Sequence, residues 1–332
     1  MAAALFLPLV ACAALVLPGA APGADSGAPL QLERTIPLAH VGGRIDHMAV
    51  DLGRKRLFIA ELGNDTVDVV DLASGRLVHR FGGLREPQGV GYAPGLDLII
   101  VANGDDGTVH LYGGGDFSDR GVVHLGHDAD NVRIDPRSGE ALVGYGQGGL
   151  AVIDPARGAT LRRIALPGHP ESFQIDTRAG RAYVNVPDAR QIAVVDLAAG
   201  RQVATWTVPT LGDNFPMAID DKGAAIAIVF RTPPRLVLLE AATGAVGGIY
   251  PTCADADDVF FDAKRARIYV SCGEGFIDVF DTRDSEYRRL AHIPTVPGAR
   301  TAYFEPSTGR FFLAVRATSA EPAAIWVFRA GP

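Results

Sequence analysis

The stretch RAYVNVPDARQIAVV, residues 181–195, decides how the whole chain is interpreted. Two apolar runs rich in β-branched residues, 182–186 and 192–195, flank a turn built on Pro187, Asp188 and Ala189, and this pattern is typical of a β-hairpin. Similar hairpins recur at residues 56–71, 97–112, 140–154, 224–240, 266–281 and 310–328. The chain therefore contains seven copies of one unit.

The period of this repeat predicts the fold class. An acidic or aromatic residue just ahead of each hairpin marks the register, with steps of 41 to 44 residues between the copies: Asp51, Tyr92, Asp135, Asp176, Asp220, Asp262 and Glu305. A period of about 40 residues with many turns indicates a propeller. We expect an all-β, seven-bladed β-propeller in which each blade is a four-stranded antiparallel sheet.

The first residues of the chain predict two further features. Residues 1–24 carry no charge and contain an apolar run of the length found in export signals, which is too short to span a membrane. Cys12 lies too early in that run to favour a lipid anchor. We expect an export signal over residues 1–24, a linker over 25–31 and the propeller over 32–332. Residues 32–41 resemble the fourth strands of other repeats, so the first strand should complete the last blade.

Charge and cysteine content restrict the partners and the compartment. The net charge of −7 disfavours a nucleic acid partner. An exported chain would retain Cys253 and Cys272, both in the sixth repeat, and counting outward from the intervening turn places them nearly opposite each other. They form either a disulfide, which an oxidising compartment permits, or two buried free thiols. The expected location is periplasmic or secreted.

The two faces of the predicted propeller differ in pattern. The turns between the first and second strands repeat Asp with Gly or a basic residue, as in DLGRKR and DPRSGE, which is ordinary turn chemistry. The loops that lead into the first strand of each blade, here called the rim loops, stay polar but change residue type from blade to blade. Such variation favours a ligand-binding ring at the channel mouth. The residues expected to bind the ligand are Arg44, Asp46, His47, Gln88, Asn131, Arg133, His169, Glu171, Asn214, Asp258 and Arg300.

Several of these residues carry the chemistry of a catalytic or metal site. The candidates for catalysis are His47, His169, Glu171 and Arg133, because histidine and carboxylate side chains move protons. Arg133 replaces an apolar residue in its strand, and we expect it to point along the channel towards Asp130 or Glu171, in a structural ion pair or in ligand binding. Carboxylates spaced by one residue suit a divalent cation (Ca²⁺, Mg²⁺ or, with histidine, Zn²⁺), and the expected ligands are Asp128, Asp130, Asp255 and Asp257.

The repeat motifs resemble those of the bacterial YVTN-repeat β-propeller family. The resemblance covers nearly all of the chain after its first residues and is carried by Tyr183-Val184-Asn185-Val186, by residues 99–103 (IIVAN) and by residues 268–271 (IYVS). It implies seven blades and an extracytoplasmic location. It does not choose a function, because similar propellers include surface-layer proteins, single-stranded-DNA binders, lactonases and lyases.

Three functional hypotheses follow from the sequence. The first is an extracytoplasmic protein whose mouth binds a small polar or anionic molecule, or the loop of an extracytoplasmic partner protein. The second is a metal-dependent lyase or lactone hydrolase at the same mouth. Single-stranded nucleic acid binding comes third, because the stacking aromatics are few and the net charge has the wrong sign.

Overall fold

The structure is a computed structural model that describes residue 1 and residues 27–319 and 321–332. The predicted export signal, residues 1–24, lies outside the described residues apart from Met1. Within the described part of the chain, no helix is long and apolar enough to cross a membrane.

Seven four-stranded antiparallel sheets form the ring, as the repeat predicted. Blades one to three contain strands β2 to β13: Met48–Asp51, Arg56–Glu61, Thr66–Asp71 and Arg76–Phe81; Pro87–Ala93, Leu98–Asn103, Thr108–Gly113 and Asp119–His124; Ala129–Ile134, Ala141–Tyr145, Gly149–Asp154 and Ala159–Ala165. Blades four to six contain β14 to β25: Phe173–Asp176, Arg181–Val186, Gln191–Asp196 and Arg201–Trp206; Gly212–Ile219, Ala225–Thr232, Pro234–Glu240 and Val246–Pro251; Ala256–Asp262, Arg267–Cys272, Phe276–Asp281 and Arg289–Pro294. Among the described residues the helical segments are two 3₁₀ turns, Leu62–Asn64 and Pro187–Ala189.

Blade seven is built from both ends of the chain. Its inner strands are β26 (Ala302–Glu305), β27 (Arg310–Val315) and β28 (Ala324–Ala330), and its outer strand is β1, Leu30–Pro37. β1 pairs antiparallel with β28, with Ile36 opposite Ile325 and Leu30 opposite Ala330. The predicted closure is confirmed, although the strand begins at Leu30, inside the segment assigned to the linker, and ends at Pro37.

The core lies between neighbouring blades. One cluster joins Ile100 and Leu111 of blade two to Val143 and Ile153 of blade three, and all four side chains are fully buried. A four-stranded sheet with two apolar faces needs a neighbour on each face, so closing the ring removes every exposed end.

The face opposite the rim loops also joins neighbouring blades. Asp51, Asp176 and Asp262 accept backbone N–H groups within their own turns, as the turn chemistry predicted. The arginines of these turns, however, reach the next blade. Arg54 binds Asp97 at 2.8 Å and Arg178 donates to the Asp221 carbonyl at 2.8 Å.

A disulfide joins Cys253 to Cys272, with their Cα atoms 5.9 Å apart. Of the two alternatives that the sequence left open, the bridge is the one formed. Cys253 precedes the rim loop of blade six, and Cys272 ends its second strand. The bridge therefore anchors the loop that carries Asp255 and Asp257.

Candidate functional site

The rim loops and the loops between second and third strands meet at one face. The Gly63 N–H donates to the Arg44 carbonyl at 2.9 Å, Gly146 to Asp128 at 2.9 Å, and Gly273 to Asp255 at 2.8 Å. These backbone hydrogen bonds repeat from blade to blade. The structure thus gathers the variable loops on a single side of the ring.

β-Bulges project the polar residues of four blades into the mouth. The register of the first strand shifts at Gln88 in blade two, at Asp130 and Asn131 in blade three, at Phe215 and Pro216 in blade five, and at Asp257 in blade six. A bulge turns successive side chains away from strict alternation, and bulges often lie next to functional sites. No local pattern in the sequence predicts these bulges, and the position of Phe215 at the mouth follows from one of them.

A small cavity of about 20 Å³ lies at the centre of this mouth. It has room for about one water-sized group. Five residues that the sequence assigned to one mouth, Asp46, His47, Asp130, Glu171 and Asp257, all line it, and the complete lining is Arg44, Asp46, His47, Asp130, Asn131, Glu171, Ser172, Phe215 and Asp257. The predicted convergence is confirmed, but the space is much smaller than a sugar.

Histidines of blades one and four connect the carboxylates of blades one and three. Nε2 of His47 lies 3.9 Å from Asp46 and 3.9 Å from Asp130. His169 lies 3.2 Å from Asp128 through Nδ1 and 3.9 Å from Asp130 through Nε2. Asp130 therefore stands between two imidazoles contributed by different blades.

Arginines neutralise the carboxylates of blades one and six. Arg44 pairs with Asp46 at 2.7 Å. Asp257 forms ion pairs with Arg231 of blade five at 2.5 Å and with Arg300 of blade seven at 3.4 Å. Arg300 also pairs with Asp255 at 2.6 Å. The guanidinium of Arg231 lies 3.7 Å from the centroid of the Phe215 ring, in a cation–π contact. Arg231, near the end of the strand Ala225–Thr232, is thus part of the site.

Burial holds three carboxyl groups of the site partly protonated near neutral pH. It raises the pKa of Asp46 to about 6 and the pKa of Asp258 to about 7, against the charge of His47. Burial and the charge of Asp130 raise the pKa of Glu171 to about 7. Loss of solvent is the largest cause of each of these pKa shifts.

The pKa values of both histidines are raised, although burial alone would lower them. Burial opposes the change, but the contact with Asp130, the Gly146 carbonyl at 2.6 Å and the charge of Asp128 raise the pKa of His169 to about 9. Burial also lowers the pKa of His47, but the charges of Asp46 and Asp258 outweigh it and raise this pKa overall. Both imidazoles are favoured as cations that bridge carboxylates.

Three polar side chains that line the cavity have no partner in the described part of the protein. The Glu171 carboxyl group, half-buried, and the Ser172 hydroxyl accept and donate no hydrogen bond among those residues, although their backbones pair with Asn185. Asn131 is 2% exposed, and its Oδ1 is buried without a hydrogen-bond donor. An unsatisfied buried polar group costs stability, so its retention at a cavity points to a ligand or a bound water.

Other predicted ligand-binding residues lie near the cavity without lining it. Gln88 donates to Asp128 at 3.4 Å. Asn214 is 1% exposed and donates to Asn185 at 2.9 Å, which braces blades four and five. Asp258 accepts the Ala302 N–H at 2.7 Å. These three residues hold neighbouring loops and blades in position around the cavity.

The ion pair expected for Arg133 does not form, whereas its role in ligand binding stays a prediction. Its guanidinium makes no ion pair with Asp130 or Glu171 and instead donates to the Val132 carbonyl at 3.0 Å and lies 5.7 Å from the Phe173 ring centroid. The two histidines already flank Asp130. Arg133 remains in the channel below the mouth, only partly removed from solvent.

The four aspartates expected to bind a divalent cation have other roles in the fold. Asp128 and Asp255 have φ of 51° and 57°, in the left-handed region that Asp tolerates better than most residues. Backbone conformation thus accounts for the acidic residue at this position. Asp130 and Asp257 face histidines and arginines, and in the described ranges no group of three or more His, Cys, Asp or Glu side chains is placed to hold a metal ion.

Comparison with known proteins supports the fold. No protein-family model matches the chain, and no curated protein matches it. Among solved structures it is similar to Kuenenia stuttgartiensis hydrazine synthase, with a TM-score of 0.76 and 17% sequence identity over 88% of this chain and 97% of that chain. At this identity the likeness shows a propeller fold alone. Because 1775 solved chains match, the fold does not select a function.

Proposed function

We propose that this protein is an extracytoplasmic propeller of the YVTN-repeat type whose mouth binds a small polar or anionic ligand, or a loop of a partner protein. The observation that carries the proposal is the buried Asn131 Oδ1, which has no hydrogen-bond partner among the described residues and lines the cavity beside Glu171 and Ser172. The surrounding ion pairs hold these groups in place before a ligand arrives. Preorganised polar groups in a concave site favour binding, because little order remains to be imposed.

The anionic part of such a ligand has a cation available at the rim. Arg316 is half-buried and forms no ion pair or hydrogen bond in the described part of the chain. Burial lowers its pKa, and the nearby charges of Arg300 and Arg44 lower it further. A carboxylate bound there would relieve repulsion among three arginines, and the planar guanidinium suits a forked contact with carboxylate oxygens.

Thermal melting tests this proposal. A ligand at a hundred times its dissociation constant stabilises the native state by about 2.7 kcal/mol, so simple dicarboxylates should raise the midpoint. Arg316→Ala should abolish the shift, whereas Arg85→Ala removes an exposed rim arginine that already pairs with Asp105 at 2.5 Å and should not. Equal shifts in both variants, or no shift with any polar compound, would contradict a binding mouth.

A lyase or lactone hydrolase at the same mouth is the second candidate. Glu171, with a pKa of about 7, and His169, with a pKa of about 9, both flank Asp130. Between these pH values the carboxylate can accept a proton while the imidazolium donates one, which is the arrangement that acid–base catalysis requires. Turnover of glucono-δ-lactone or dihydrocoumarin that His169→Gln abolishes would support the enzyme. The assay with added Ca²⁺, Mg²⁺ or Zn²⁺ tests the metal-dependent form of this proposal.

The extracytoplasmic location rests on two observations. Residues 1–24 have the composition of an export signal, and the Cys253–Cys272 disulfide requires oxidising conditions for its formation. Fractionation of the producing cell tests the location directly. Recovery of the full-length, reduced chain in the cytoplasm would contradict it.

A further inference from the structure

The cavity at the mouth offers more hydrogen-bond acceptors than donors. Asn131 Oδ1 is buried without a hydrogen bond, as is one donor, Arg44 Nε, while the Glu171 carboxyl oxygens line the same space and the Ser172 hydroxyl can accept as well as donate. Asp130 adds oxygens that two histidines contact only at 3.9 Å. A guest that supplies donors would satisfy these atoms, whereas a guest that supplies only acceptors would not.

The unpartnered Asn131 distinguishes this cavity from a mere cluster of acids. Its side chain is almost completely buried, and its Oδ1 lacks any donor among residues 27–319 and 321–332. Burial of an amide oxygen without a donor is costly unless the missing donor comes from outside the chain. The neighbouring carboxyl group of Glu171 makes a cationic donor more favourable than a neutral one.

The size of the cavity limits what that donor can be. A space of about 20 Å³ accepts a group of the size of one water molecule. A primary ammonium group has this size and directs three N–H donors outward, as many as there are unpartnered side chains. A guanidinium or a sugar ring exceeds the space.

We propose that the ligand enters this cavity with a primary ammonium group, held by Glu171, Asn131 and Ser172. The inference rests on the proposed binding function and specifies its ligand class: a small primary amine. When the molecule also carries a carboxylate, that group reaches the unpartnered Arg316 at the rim, so the best ligands are zwitterions.

The pH dependence of binding has a defined sign. The ammonium ion requires an ionised Glu171, and the pKa of this carboxyl group is about 7, so affinity should rise as pH increases through 7. Alkylamines lose their charge near the ordinary pKa of lysine, about 10.4, so affinity should fall again above that pH. Between these limits the amine binds most tightly.

Calorimetric titration with four probes of equal chain length tests the inference. At pH 8 we expect n-butylamine and 4-aminobutanoate to bind, and butan-1-ol and butanoate to bind at least about tenfold more weakly, since a hydrogen bond to a charged group is worth about this factor. Glu171→Gln should lower the affinity for n-butylamine at least about tenfold. Glu86→Gln makes the same chemical change at an exposed residue on the same rim and should leave the affinity unchanged.

The outcomes separate this inference from the proposed function. If butanoate or butan-1-ol binds as well as the amines, or if Glu171→Gln binds n-butylamine like the wild type, the ammonium inference is overturned while a binding mouth stands. If MgCl₂, CaCl₂ or ZnCl₂ binds in a manner that Glu171→Gln abolishes and the amines do not bind, the cavity takes a metal ion instead. If no probe binds, the ammonium inference is overturned, and thermal melting with dicarboxylates decides the proposed function. Should Glu171→Gln not fold, titration of the wild-type protein at pH 5.5 and pH 8 decides the same point, because equal amine affinity at both would overturn the inference.

Discussion

Gly89 packs directly beneath Asp130 of the neighbouring blade. A methyl group in place of its hydrogen would lie 2.1 Å from the Asp130 carbonyl oxygen and 3.0 Å from the Val132 side chain. Only glycine allows this approach. The bulge that presents Asp130 and Asn131 to the cavity is therefore supported from blade two.

Replacing Gly89 by alanine should disturb both stability and the site. Because the contact is with backbone, which cannot move aside without shifting the bulge, we expect Gly89→Ala to lower the free energy of unfolding by about 2–3 kcal/mol. Urea unfolding measures the loss. Gly82→Ala is the matched control, since nothing lies within 4 Å of its added methyl group, and it should change stability by less than about 0.5 kcal/mol. Equal effects in the two variants would contradict the close approach.

The disulfide should stabilise the protein by constraining the unfolded chain. Its cysteines are 19 residues apart, and closing a loop of this size is worth about 3 kcal/mol. Cys253→Ser with Cys272→Ser should lower the urea midpoint by a matching amount, and reductant should lower the wild-type midpoint but leave the double variant unchanged. If reductant does not change the urea midpoint of the wild type, the disulfide is absent.

Stability should fall as the pH rises from about 6.5 to about 9. The pKa of His169 is raised in the folded protein to about 9, so its contribution is complete below the ordinary histidine value and is lost as the pH increases through the folded value. We expect a loss of about 2 kcal/mol over this range in the wild type. His169→Gln should flatten the profile, while His124→Gln, at an exposed position in β9, should not. Denaturant melts at pH 6 and pH 9 measure the difference.

The strand that closes the ring should carry a large part of the stability of blade seven. Ile36 is 1% exposed and packs in the core between blades seven and one, so Ile36→Ala should cost about 2–4 kcal/mol. Leu32 in the same strand is 49% exposed, and Leu32→Ala should cost less than about 0.5 kcal/mol. Equal losses of unfolding free energy in the two variants would contradict the burial of Ile36 in this strand. Deletion of residues 32–41 should destabilise the whole domain.

Much of the site's location could be read from the period, but its chemistry could not. Asp46, His47, Asp130, Glu171 and Asp257 occupy nearly equivalent positions in their repeats, and a closed ring brings equivalent positions to one rim. Apart from the pairing of Asp46 with Arg44 and His47, the partners come from other blades. Arg231 pairs with Asp257, 26 residues further along the chain, and no local pattern connects the two.

The sequence by itself determined the number of blades, the identity of each strand and the closure of the ring, because hairpin patterns and strand alternation act over a few neighbouring residues. Tertiary structure alone decided which polar groups are paired and which are not. Bulges such as the one at Asp130 and Asn131 depend on the blade packed against them, through contacts such as that of Gly89. Arg133 lacks the ion pair expected for it, and the Glu171 carboxyl group forms no hydrogen bond among the described residues, because the neighbouring cations and anions pair with one another. These contacts join residues far apart in the chain, and their energies exist only once the ring has formed.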